Sequence, residues 1–187
     1  MITIYFHFYN FTMEFLLKKD KFIILLSLFL IFTSSLFAQK VDEYEMHQLR
    51  AISNLNEFGV YVWDFEGDKW NKKISEPEVQ KFVQKALKGA GIKTIDFSEA
   101  RKLKGAPNLE VSIKVDEKGK SGMFAYSVIL RFIQDAKLVR NNVLNYGAIT
   151  WERDDVGFTS KEDLDLELKI SINSLIDEFI VDYKKVN

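Results

Sequence analysis

From Leu109 to Asp116 apolar and polar residues alternate without a break, Leu109, Val111, Ile113 and Val115 against Glu110, Ser112, Lys114 and Asp116. A two-residue period sends successive side chains to opposite faces, so the run predicts a half-exposed strand. Met123 to Gln134 repeats the pattern at greater length, with Phe124, Tyr126, Val128, Leu130 and Phe132 on one side. A polar loop, Glu117 to Gly122, joins the two, and a turn at Asp135 to Lys137 returns the chain through Leu138 to Trp151. Three segments joined by short turns read as an antiparallel meander, and its apolar face has to be covered by something else in the chain.

Two helical patterns can supply that cover. Ser75 and Glu78 have capping-box spacing, Pro77 is tolerated in a first turn, and Val79, Phe82, Val83, Ala86 and Leu87 follow as a stripe that stops at Gly89 or Gly91. The second is longer: Leu164, Leu168, Ile172, Leu175, Ile176, Phe179 and Tyr183 recur at helical spacing. Acids near its start, Glu162, Asp163 and Asp165, and Lys184 and Lys185 near its end suit the helix dipole, and Ser160 with Asp163 resembles a weaker capping box.

Before the first helix, Phe58 to Phe65 reads as a strand covered on both sides, which makes Trp63 a core residue. Ile92 to Phe97 is a short strand after the glycine stop, and Ser98 to Lys104 a turn of helix. Gln39 to Asn56 is a polar lead-in with a short helix. The order is strand, helix, strand, then three antiparallel strands and a helix. It predicts an α+β two-layer sandwich, with a mixed sheet of about five strands and two main helices on one face.

The amino-terminal segment has a different character. Eight of the sixteen Phe fall in the first 38 residues. Lys18, Lys19 and Lys21 precede an apolar run from Phe22 to Phe32 broken only by Ser27, and Thr33 to Ala38 turns small and polar before Gln39. That is the layout of a secretory signal cleaved after Ala38, with Met13 as the start codon in use. The other reading is an uncleaved anchor, since Phe22 to Ala38 reaches the lower limit of about 17 residues for a spanning helix. The domain plan is therefore 1–38 signal, 39–56 lead-in and 57–187 a single α+β domain. Export places the protein in the periplasm, with an extracellular or membrane-tethered location as alternatives.

Composition removes several kinds of chemistry. With no Cys there is no disulfide scaffold, thiolate metal site or Cys nucleophile, and two His cannot build a histidine-rich cluster. After removal of the leader's three Lys, Glu14 and Asp20, 23 basic side chains face 25 acidic ones. Lys102, Lys104, Lys114, Lys118 and Lys120 lie among acids, so nucleic acid is not an expected partner. Gly89-Ala90-Gly91 ends a helix instead of opening one, so it is a stop and not a phosphate cradle. His47, alone after processing, sits in the lead-in and reads as a surface residue. No cofactor, metal or catalytic residue is expected.

Two groups of residues remain as candidates. Asp64 and Glu66 follow the first strand and Glu152 and Asp154 follow Trp151, so as loop acids they could converge at one edge into a small-molecule or metal-dependent binding or hydrolytic site. With Asp68, the first pair also has the alternate spacing of a calcium loop, but the EF-hand glycine position is Lys69 and its final Glu position is Ser75. Trp70, in a polar loop, and Trp151, closing a strand, are candidate partner contacts.

The stretches Gly105-Ala106-Pro107-Asn108-Leu109-Glu110-Val111, Tyr126 to Gln134, Leu138-Val139-Arg140, Thr150-Trp151 and Phe179 to Asn187 resemble an uncharacterised family of small exported bacterial proteins. The resemblance covers Leu55 to Asn187 and implies no activity and no catalytic residues. In element order alone the chain is also similar to the amino-terminal α/β domain of the periplasmic TolB protein, without the β-propeller that comes after it there. That similarity implies protein–protein contacts, and with it the expected function is that of an exported, non-enzymatic protein binding another component of the bacterial envelope.

Overall fold

In the computed structural model, the alternating segments are neighbouring strands of one mixed sheet. The structure describes residues 43–66, 74–117 and 122–187. The chain divides after Glu45 into two compact units. Residues 46–187 make up the α+β unit, and Glu43, Tyr44 and Glu45, the start of the first helix, belong to the other.

In chain order the elements are α1 (Glu43–Ala51), β1 (Phe58–Phe65), α2 (Glu76–Gly89), β2 (Thr94–Ile95), α3 (Phe97–Ala100), β3 (Asn108–Glu117), β4 (Met123–Lys137), β5 (Leu144–Ser160) and α4 (Leu164–Val186). The sheet order is β2-β1-β3-β4-β5. β1 runs parallel to both β2 and β3, whereas β3, β4 and β5 pair antiparallel. This is the α+β sandwich of the sequence pattern, with α2 and α4 on one face of the sheet.

Local chemistry accounts for the helix limits. The Ser75 backbone N–H donates to Glu78 Oε2 at 2.9 Å, one arm of the capping box. The helix stops where Gly91 turns to a φ of 82°, which costs glycine little. At α4 the Asp163 N–H donates to Ser160 Oγ at 3.3 Å and Ser160 Oγ–H to Asp163 Oδ2 at 3.0 Å.

The core lies between the helices and one face of the sheet. Val79, Val83 and Leu87 of α2 and Leu164, Leu168, Ile176 and Phe179 of α4 pack on Val60, Leu109, Val111, Val128, Leu130 and Phe132. Its aromatic centre is built edge to face: Phe58 meets Phe132 at 5.2 Å and Phe179 at 5.6 Å, and Trp151 meets Phe179 at 5.0 Å. Ile52, in the expected lead-in, is also fully buried. The Asn187 side-chain amide donates to Ile52 O at 2.8 Å, and its Oδ1 accepts from the Leu55 N–H at 2.8 Å.

Several expectations are corrected. β2 is only two residues long. The β4–β5 turn lies beyond Lys137, because β4 runs that far. β5 does not end at Trp151 but continues to Ser160, so Glu152 and Asp154 are strand residues and not loop acids. The reason is pairing on both faces. Arg153 reaches Asp182 of α4 at 3.0 Å and Asp155 accepts from Ser171 of α4, while Glu152 turns to the other side. Trp63 is 63% exposed and not core, because β1 is covered by the large helices on one face only.

Candidate functional site

The sheet face turned away from α2 and α4 carries the second set of alternating residues. On β1 these are Tyr61 and Trp63, on β3 Glu110, Ser112 and Lys114, on β4 Ile129, Arg131 and Ile133, and on β5 Glu152, Asp154 and Val156. α3 covers one end: Ala100 is buried over Gly59, and the Phe97 ring lies 4.6 Å from that of Tyr61.

Register sets four of these side chains in one row across four strands, with Tyr61 opposite Glu110, Glu110 opposite Arg131 and Arg131 opposite Glu152. Tyr61 donates its hydroxyl to Glu110 Oε2 at 2.5 Å. Arg131 Nε donates to Glu152 Oε2 at 2.5 Å, and its Nη1 reaches Glu110 Oε1 at 3.5 Å. The Glu110 side chain is 7% exposed although it lies on the face without the large helices. A nearly buried carboxylate needs donors, and Tyr61 and Arg131 supply them from either side.

The titration shifts follow this geometry. Burial, then the hydrogen bond to Glu110 and that carboxylate's charge, hold the Tyr61 phenol far above its ordinary value. The hydrogen bond to Glu152 raises the Arg131 guanidinium further. The row is thus alternately donor and acceptor, with both carboxylates engaged by one guanidinium. Glu110 is thus held by Tyr61 and Arg131, and Glu152 by Arg131.

The four carboxylates singled out from the sequence are not brought together. Asp64, inside β1 at an irregularity between Trp63 and Phe65, has a φ of 58° and pairs with Lys114 at 2.9 Å, and Glu66 follows the strand with its N–H donating to Ile113 O at 2.9 Å. Glu152 and Asp154 are on β5, with β3 and β4 between. Three strand steps of about 4.8 Å put the two pairs about 14 Å apart across the sheet. Among the described residues, no group of three or more His, Asp or Glu could hold a metal ion.

Trp151 is fully buried and donates its indole N–H to Asp182 Oδ2 at 3.1 Å, so it is a core residue and not a partner contact. It lies on the helix side because a bulge near Thr150 resets the alternation of β5. Trp70 lies outside the described residues. Sequence reasoning does not single out Tyr61, Glu110 and Arg131. Their only signal is a polar residue recurring on the wrong phase of an apolar strand, and it needs the register to become a row.

No family model matches this chain, and no curated protein matches it. Among solved structures it is similar to the PelC dodecamer from Paraburkholderia phytofirmans in space group P6, with a TM-score of 0.37 and 13% identity over 68% of this chain and 87% of that one. It is similar also to a point variant of that dodecamer in space group C2, with a TM-score of 0.38 and 12% identity over 70% of this chain and 90% of that one. Likenesses of this size carry no argument about function.

Proposed function

We propose that the protein is an exported, non-enzymatic component of the bacterial envelope that binds another envelope protein by strand addition along β5. One observation supports this: β5 is a 17-residue strand at the edge of the sheet, with apolar side chains exposed along it. Tyr146 is 75%, Ile149 53% and Val156 67% exposed. An edge strand of this length presents a row of backbone donors and acceptors, and apolar neighbours make it a template for a partner strand.

The export half of the reading rests on the leader in residues 13–38, which lie outside the described residues. Among those that are described, no helix is long and apolar enough to cross a membrane. Both halves are tested by expressing the full chain with its own leader in a bacterial host, sequencing its amino terminus and crosslinking it in intact envelopes. The expected result is a terminus at Gln39 and one envelope protein that crosslinks, lost in the V156K variant. A chain retained with residues 22–38 in the membrane would replace the cleaved-leader reading with a tethered one. Recovery only as a free monomer would overturn the binding reading.

A further inference from the structure

We infer that the α3 end of the open face is a binding site for a small zwitterion with a large apolar side group, an α-amino acid or very short peptide. This goes beyond strand addition on β5 and does not depend on it. The cavity has a volume of about 440 Å³ and is lined by Tyr61, Phe97, Arg101, Asn108, Asp135 and Tyr146, among others. That size lies within the range of small-molecule sites, about 300–1,000 Å³.

Its charges define the ligand. Arg101 lies 5.8 Å from the centre of the Phe97 ring, and no acid pairs with it among the described residues. Asp135 uses Oδ1 to accept the Gly147 N–H at 3.2 Å, and no cation among the described residues pairs with it. A cation and an anion that line one cavity without meeting each other are both satisfied by a ligand carrying a carboxylate and an ammonium group. Tyr61, Phe97 and Tyr146 line the same cavity and suit an apolar or aromatic side group.

One further feature points to the same place. Ala106 and Gly147, both in the lining, hold φ of 43° and 71°, and at Ala106 that left-handed backbone is a strain of the kind that gathers at ligand sites.

The experiment is a two-dimensional NMR titration of the purified protein with L-phenylalanine, the dipeptide Phe-Phe, phenylacetate and phenethylamine, read at the Gly147 and Asp135 amides. At about 10 mM even a ligand with a Kd near 1 mM is mostly bound. L-phenylalanine or Phe-Phe should shift these amides, with each singly charged analogue binding at least about tenfold more weakly. That loss corresponds to about 1.4 kcal/mol, within the range for a charge-assisted hydrogen bond. R101Q should cost affinity for the zwitterion and for phenylacetate but not for phenethylamine, and D135N, which can still accept from Gly147, should do the converse. The L166K variant, at an exposed position of α4, should bind as the unaltered protein does. Absence of a shift with both zwitterions, or equal binding by R101Q, would overturn the inference.

Discussion

At the residue scale the most exacting position is Gly59, on the open face under α3. A Cβ there would stand 2.1 Å from Asn108 Oδ1 and 2.8 Å from Ala100 Cβ, so G59A should destabilise by about 1–3 kcal/mol in urea unfolding. The same substitution in an N108A background should cost less, because the nearer of the two obstacles is gone. Asp182 carries a different load: 5% exposed, it accepts from Trp151 Nε1, Arg153 Nη2 and Lys185 Nζ at 3.1, 3.0 and 3.0 Å. D182A leaves the buried indole N–H without its partner and should cost about 1–3 kcal/mol, whereas W151F, which removes the donor, should leave Asp182 its two cations. Tyr61 gives a pH signature. Its phenol is raised in the folded state, so above the ordinary value of 10.0 the unfolded chain loses the proton first and stability falls as pH rises. Below that pH the contribution is fully present. Urea midpoints measured from pH 8 to 11 should decline more steeply for the unaltered protein than for Y61F, and parallel profiles would show that Tyr61 is not held this way. None of these three roles is legible in the sequence. Gly59 looks like any strand glycine, Asp182 like a solvated acid near a helix end, and Tyr61 like one aromatic among several, because each depends on a residue 29 or more positions away.

At the element scale the legible parts are those whose signal is local. α2 is readable because Ser75, Glu78 and the stripe from Val79 to Leu87 sit close together along the chain, and α4 because its apolar positions repeat along one helix. β3 and β4 announce themselves by period, although β4 runs past Gln134 to Lys137. β5 is read too short for an opposite reason. Glu152, Arg153, Asp154 and Asp155 look like a loop when read alone, yet the strand continues because alternate members reach Arg131 on one face and α4 on the other. Hydrogen exchange should separate the two edges of this strand. Amides of β5 that face β4 should be protected nearly as well as the core of β3 and β4, and the alternate amides facing outward should exchange within the dead time. Protection of both sets in the isolated protein would mean that the outer edge is already paired.

For the molecule as a whole, the layer architecture follows from asking which faces need cover. An apolar sheet face and two apolar helix stripes have one economical arrangement, and the structure adopts it. The candidate site is less legible, since its acids group by closeness along the chain to strand ends, and the strand order β2-β1-β3-β4-β5 places them at opposite sides of the sheet. Trp151 misleads for a similar reason: its position beside acids suggests a surface, and a single bulge turns it inward. Among the described residues one sheet face and the long β5 edge stand uncovered, and we propose that a partner strand occupies that edge after export. A photoreactive amino acid placed at Val156, with Leu166 on α4 as the exposed control, tests it in living cells. Position 156 should capture one other envelope protein and position 166 should not. Equal capture from both positions, or none from 156, would contradict the claim.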